Sequence, residues 1–274
     1  MDRVEAHRLL FAKLVTANAG IAGGSELQAA FASTPREQFV GPPPWRIFTR
    51  SGYVESPTDD PAMIYQDVVI SLGGEGHFNN GQPTLHAFCL TALNIEKGDR
   101  IVHVGAGTGY YTTLMAKLVG ESGKVDAYEV VPEFARRATS YLAEFPYVTV
   151  HARSGTEGPL PGCDVLYVNA GATGPLDVWL DALRPGGRFL FPMTPDDGSG
   201  GMLLITREDG RFAARFLLQA QFVGCVGARD EALGRRLSEA FRGGGWAKVR
   251  SLHRDDAPDE SCWIAGDGWW LSTQ

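Results

Sequence analysis

The chain is poor in cysteine: it has four in 274 residues, Cys89, Cys163, Cys225 and Cys262, and none form a C-x-x-C pair. That scarcity argues against both a disulfide framework and a cysteine-based metal site, so the four read as reduced, mostly buried thiols and no metal is expected. Positive charge is also short, with 25 Lys and Arg against 32 Asp and Glu for a net charge of −7. Proteins that grip phosphate backbones need clustered cations, and the densest basic group here, Arg235-Arg236 followed by Arg242, reads as a solvated helix face. No apolar run approaches the length of a bilayer span. The charged opening residues 1–8 lead into an amphipathic helix and do not read as a signal peptide. A soluble, cytoplasmic protein with no nucleic-acid and no membrane partner is expected. What remains, 44% apolar and 21% charged, is the composition of a globular chain that buries a full core.

Glycine, by contrast, is plentiful at 34 residues, and its most telling placement is Ile101-Val102-His103-Val104-Gly105-Ala106-Gly107-Thr108-Gly109. A β-type run feeds a loop with glycine at every second position, and Tyr110–Val119 then reads as a helix with Leu114 and Leu118 on one face. Strand, glycine loop and helix in that order aim backbone N–H groups at a ligand with no Cβ in the way. Gly105, Ala106, Gly107, Thr108 and Gly109 are therefore candidate cofactor contacts. A dinucleotide fingerprint wants a small residue at its third glycine position, where this chain has Tyr110. The next strand ends in Glu129, followed by Val130, and a carboxylate there can accept hydrogen bonds from both ribose hydroxyls. An adenosine ligand lacking a pyrophosphate suits both observations, and S-adenosyl-L-methionine is the cofactor expected. The alternative for Glu129 is a solvated charge at a strand end.

Helices are expected over 7–16, 25–33, 84–93, 110–119, 132–144, 176–183 and 230–241, and strands over 101–104, 124–129, 148–152, 164–168 and 188–191. The proline-rich stretch 34–60 and the glycine-rich stretch 72–81 read as ordered but irregular. Alternation from residue 101 onward predicts an α/β fold, a doubly wound, mostly parallel, Rossmann-like sheet. Met202–Thr206 and Phe212–Val223 around Asp209-Gly210 predict an antiparallel hairpin. Four of the six tryptophans fall in the tail, where short strands are expected around Val249 and Trp263; a packed cap suits them better than a ligand site. Three blocks follow: 1–83 as an N-terminal helical cover and substrate loop, 84–228 as the cofactor-binding core, and 229–274 as a C-terminal accessory segment.

Thr34-Pro35-Arg36-Glu37-Gln38-Phe39-Val40, Asn80-Gly81-Gln82-Pro83, the glycine loop, Asn169-Ala170-Gly171-Ala172 and Leu183-Arg184-Pro185-Gly186-Gly187-Arg188 occur in this order. As a set they resemble the protein-L-isoaspartate O-methyltransferase family of class I S-adenosylmethionine-dependent methyltransferases, with this chain a divergent member from about His7 to Gly227. The resemblance implies that Gly105, Gly107 and Gly109 border the methionine and ribose of the cofactor and that Glu129 holds the ribose. Ser154-Gly155 stands where the family presents Asp-Gly to adenine, unless 153–158 is simply a surface turn. Val130 and Asn169 join this cofactor set.

The main departure from the family lies before Gln82-Pro83, where Thr-Ile-Ser is replaced by Asn79-Asn80-Gly81. Glycine offers no hydroxyl. A carboxylate acceptor is already an anion at neutral pH and needs an oriented donor, not a base. The amides of Asn79 and Asn80 and the N–H of Gly81 are the catalytic candidates for that role. Tyr65, Asp67 and Gln82 are candidate substrate residues, although Tyr65 and Asp67 could equally pin their own segment. His77 and His86 flank the region, with His86 read as structural, and His103 reads as buried and neutral. The expected reaction is O-methylation of a protein or peptide carboxylate of the isoaspartyl type, by direct displacement. A small-molecule acceptor, or a cofactor-binding interaction protein that has lost catalysis, stays open. A nicotinamide-dependent oxidoreductase is disfavoured by the loop spacing.

Overall fold

The computed structural model describes residues 2–73, 78–254 and 256–274. In chain order the elements are α1 (Arg3–Asn18), α2 (Glu26–Ser33), β1 (Arg46–Thr49), β2 (Gly52–Glu55), α3 (Pro83–Ala92), β3 (Arg100–Val104), α4 (Tyr110–Val119), β4 (Lys124–Tyr128), α5 (Pro132–Tyr141), β5 (Val148–His151), β6 (Cys163–Val168), α6 (Asp177–Ala182), β7 (Leu183–Met193), β8 (Gly200–Glu208), β9 (Arg211–Ala220), α7 (Glu231–Gly243), β10 (Ser251–Arg254), β11 (Cys262–Ala265) and β12 (Trp269–Ser272). They divide between two compact units, Met1–Gly98 with Ala106–Val125 and Val131–Ala152, and Asp99–Gly105 with Asp126–Val130 and Arg153–Gln274.

The first unit is mostly helical. Ser25 caps α2 by accepting from the Gln28 N–H, and Pro132 opens α5 from its first turn. A run of edge-to-face and tilted rings, Phe11 to Phe31 to Tyr110 to Phe39, ties α1, α2 and α4 together with centroids 5.4–6.3 Å apart. The stretch expected to be irregular contains a hairpin: Arg46 pairs with Glu55 and Thr49 with Gly52. The prolines before it mask its alternating residues. α1 likewise starts four residues earlier than its apolar pattern suggests.

In the second unit the strand order is β11-β12-β10-β9-β8-β7-β6-β3-β4. β3, β6 and β7 run parallel, whereas β7 to β8 and onward through β9 and β10 to β12 and β11 is antiparallel. This is the expected Rossmann-like class, with the hairpin in place. Its core packs Trp179, Phe189, Phe191, Leu166 and Val168, all fully buried. β7 begins at Leu183 rather than 188, because the Pro185-Gly186-Gly187 segment is carried inside the strand. In the tail, Val249 follows a short 3-10 helix, Trp246–Lys248, and lies just before β10. β12 has no counterpart among the expected strands; its paired tryptophans read as packing residues instead. Among the described residues, no helix is long and apolar enough to cross a membrane, and no cluster of His, Cys, Asp and Glu could hold a metal ion.

Candidate functional site

The glycine loop opens at Gly105 and runs into α4 through Gly109, with φ of 76°, 57° and 95° at Gly105, Gly107 and Gly109. Position 109 favours glycine for a second reason. A Cβ there would lie 3.1 Å from Leu142 Cδ1 and 3.4 Å from Ala138 Cβ, so a side chain would make Leu142 give way at the end of α5. The close packing sought at the third fingerprint position is thus made one residue earlier, and Tyr110 turns its ring to Phe31 and Phe39. Gly109 N–H donates to the Ala106 carbonyl at 3.0 Å. The Thr108 hydroxyl is buried and donates to the Phe39 carbonyl at 2.7 Å, which leaves that residue its backbone for any ligand.

In the second unit Gly105 N–H donates to Tyr128 O at 2.9 Å and Asn169 N–H to Val104 O at 2.8 Å. Glu129, at the end of β4, is buried to 6% exposure. Val130 and Val226 remain open at 42% and 60%. Gly155 lies so close to β3 that a Cβ would come within 2.6 Å and 2.9 Å of the two Val104 methyls, and its carbonyl accepts from Trp179 Nε1 at 2.8 Å. The Ser154 hydroxyl meets Thr156 Oγ1 at 2.7 Å and the Val226 carbonyl at 3.3 Å. Serine therefore stitches this turn together. Burial pushes the His103 imidazole down to about 3. Nε2 of the neutral ring is hydrogen-bonded to the Asn169 amide, 2.8 Å from Nδ2, and among the described residues Asn169 Oδ1 is buried with no hydrogen-bond partner.

The segment carrying the acceptor candidates is tied down within the first unit. Arg36, fully buried, donates to the carbonyls of Ile64, Gln66 and Val68 at 2.5, 2.8 and 2.6 Å. The Tyr65 hydroxyl donates to Glu37 and accepts from the Arg36 N–H; burial is the first cause that raises its pKa, with the Glu37 contact second. Both Asp67 oxygens are engaged, Oδ1 by the Thr84 N–H at 2.8 Å and Oδ2 by Gln82 Nε2 at 2.9 Å. Asp67 thereby supplies the N-terminal cap that α3 lacks locally. Tyr65 and Asp67 both bond within their own unit. In the sequence Arg36 stands out only as part of a motif; an arginine flanked by residues of a buried segment is the signal that could single it out.

Asn79 Oδ1 accepts from the Gly81 N–H at 2.9 Å, so that N–H, one of the three donor candidates, is already bound. Asn80 accepts from the Ile70 N–H at Oδ1, 2.9 Å, and donates its own N–H to Ile70 O, 3.0 Å. Because an N–H must face an oxygen, the Ile70 contact fixes which end of the Asn80 amide is which. Its Nδ2 is buried without a partner among the described residues. Gly81 has φ of 67°, and the His86 ring lies beside it, stacked on Tyr111 with centroids 3.7 Å apart. His77 lies outside the described residues.

The family described as protein-L-isoaspartate(D-aspartate) O-methyltransferase matches residues 7–230. The chain belongs to this family. By membership it is a methyltransferase. The protein-L-isoaspartate O-methyltransferase of Ignicoccus hospitalis is similar, 28% identical over 205 residues that span 73% of this chain and 89% of that protein. Protein-L-isoaspartate O-methyltransferase 1 of Arabidopsis thaliana is 31% identical over 189 residues, 64% of this chain and 73% of the relative. A solved protein-L-isoaspartate O-methyltransferase superposes with a TM-score of 0.68 at 21% identity, covering 93% of this chain and 74% of its own. A further one from Plasmodium falciparum, solved with S-adenosyl-L-homocysteine, gives 0.64 at 17%, covering 80% and 98%. At those identities the structures share the fold. The methyltransferase family span ends at 230, so β10, β11 and β12 lie beyond it.

Proposed function

We propose that the chain transfers a methyl group from S-adenosyl-L-methionine to a protein carboxylate, with an isoaspartyl residue as acceptor. The family match over 7–230 carries this reading, and the residues present suit the cofactor. Gly105, Gly107 and Gly109 take left-handed backbone, so no Cβ stands on the loop at those positions. The buried Glu129 carboxylate suits the two ribose hydroxyls, the exposed Val130 and Val226 suit an adenine face, and Asn169 Oδ1, without a partner among the described residues, suits an ammonium. Gly155 keeps its backbone against β3, while Ser154 lends adenine no carboxylate.

When bound, S-adenosyl-L-methionine supplies an electrophilic methyl with the sulfonium as its own leaving group. What the chain must add is alignment and exclusion of water. The acceptor carboxylate is ionised at neutral pH, so no side chain needs to remove a proton. Asn80 Nδ2 is the donor we assign to that carboxylate, its direction set by the Ile70 N–H. Asn79 holds the Gly81 turn and Gln82 holds Asp67, so both shape the segment around it. An acceptor oxygen held this way would face the methyl that the cofactor supplies, and its transfer would need no proton moved by the chain.

The test is transfer of tritiated methyl from S-adenosyl-L-methionine to an isoaspartyl peptide and to its aspartyl twin, counting base-labile methyl ester. Incorporation restricted to the isoaspartyl peptide is expected. No incorporation, with S-adenosylhomocysteine binding demonstrated by calorimetry, overturns the acceptor and leaves the cofactor assignment standing.

A further inference from the structure

We infer that His86 is a positioning residue that governs acceptor choice by filling the side-chain space of position 81. An ideal Cβ on Gly81 would lie 2.1 Å from His86 Nε2, 2.7 Å from Cδ2 and 3.3 Å from Cε1. All three nearest atoms belong to one ring, so the direction in which a side chain at 81 would grow is taken by the imidazole. The ring has little room to yield. His86 is 2% exposed and sits on the first turns of α3, stacked at 19° on Tyr111, itself buried in α4 directly after the glycine loop. The backbone repeats the constraint, since a φ of 67° at 81 disfavours any residue with a Cβ. In this chain, therefore, the ring at 86 holds the volume into which a side chain at 81 would grow, and one of the two would have to shift to admit the other.

The consequence reaches the chemistry through Asn80. With the ring in place, the turn at 79–82 adopts its left-handed form, Asn79 binds the Gly81 N–H, and no hydroxyl can project at 81. The Asn80 amide is then a buried donor in this turn that has no partner among the described residues. Acceptor choice is thus set by a residue five positions away on α3. This inference rests on the carboxyl-methylation reading above.

The test is a double-mutant cycle of Gly81→Ser and His86→Ala, read three ways: affinity for S-adenosylhomocysteine, free energy of unfolding, and kcat and KM for the isoaspartyl peptide. With His86 present, Gly81→Ser is expected to lower kcat/KM at least tenfold while cofactor affinity changes less than twofold. In the His86→Ala background the sign reverses: serine at 81 raises kcat/KM at least fivefold over that single variant, mainly through KM. His86→Phe, which keeps a ring on Tyr111, is expected to retain the penalty of Gly81→Ser; its loss would show that the imidazole, not the volume, matters. Equal effects of Gly81→Ser in the two backgrounds, in both kinetics and unfolding, overturn the inference. So does coupling in unfolding alone without the sign reversal in KM. If the wild-type chain methylates no isoaspartyl peptide, the acceptor reading fails by itself. The inference then stands or falls on whether the double variant gains that transfer.

Discussion

Lowering the pH from 7.5 to 5.0 should cost this protein about 2 kcal/mol of stability through His103 alone. The imidazole sits wholly buried on β3 with its pKa pushed down by burial to about 3, against about 6.5 in an unfolded chain. Below 6.5 the unfolded state takes up a proton that the folded state refuses, so stability falls with acidity and goes on falling until the pH reaches the folded pKa. At pH 5.0 the unfolded chain is about 1.5 decades into that protonation, and at about 1.36 kcal/mol per decade the penalty is about 2 kcal/mol, against nearly nothing at pH 7.5. The assay is urea unfolding of the wild type and of His103→Gln at both pH values. Glutamine keeps an acceptor for Asn169 Nδ2 but has no proton to gain, and contributions from the carboxylates cancel in the comparison. His103→Gln should lose about 2 kcal/mol less than the wild type between the two pH values. Parallel losses in the two proteins would refute the assignment of a buried, neutral imidazole.

Replacing Glu129 by Gln should weaken S-adenosylhomocysteine binding by about 10- to 100-fold in calorimetry, the range for hydrogen bonds to a charged acceptor; unchanged affinity would remove the ribose assignment. Arg36→Met should destabilise by on the order of 3–5 kcal/mol, because three carbonyls lose a charged donor at once, and a loss of stability below about 1 kcal/mol would mean water replaces it. Gly155→Ala drives a methyl into both branches of Val104, a side chain stiff at χ1. It should cost about 1–3 kcal/mol, with a measurable loss of cofactor affinity; a neutral result in both would show that the turn at 154–156 is free to move away from β3.

The candidate cofactor residues are legible in the sequence because their signals are local. An apolar run, three alternating glycines and a helix pattern occupy adjacent residues, so β3, the loop and α4 can be drawn without tertiary information. β4 with Glu129 at its tip follows for the same reason, as does the start of α5 at Pro132. The β1–β2 hairpin is hidden by its neighbours: a strand of four residues beside a run of prolines has no periodicity long enough to register. β7 is cut short in the sequence pattern because Pro185-Gly186-Gly187 reads as punctuation, whereas the parallel pairing to β6 carries the strand through it with a register shift between Cys163 and Val165. The surroundings of the acceptor candidates are illegible for a different reason. Asp67 caps Thr84 from 17 residues away, Arg36 reaches carbonyls 28 to 32 residues on, and the exclusion between Gly81 and His86 exists only once α3 is folded. None of these leaves a periodic trace.

The side chains expected to greet the substrate are largely bonded to their own segment, and that bears on how such a site could work. A loop whose donors all faced an empty pocket would have to hold its geometry against water and its own entropy. Here Tyr65, Asp67, Asn79 and Gln82 serve as struts, with the buried Arg36 guanidinium gathering the carbonyls behind them. Within this frame the Asn80 amide donor has no partner among the described residues, and a buried donor left unmade costs about 1–3 kcal/mol. An anion that satisfies it recovers that cost, and the recovery goes furthest for an acceptor whose carboxylate sits where the fixed amide points. Selectivity would then come from rigidity behind a single polar contact, not from many contacts to the acceptor. Loosening any strut should therefore raise KM for the acceptor before it disturbs cofactor affinity, since the donor loses its direction while the glycine loop stays intact.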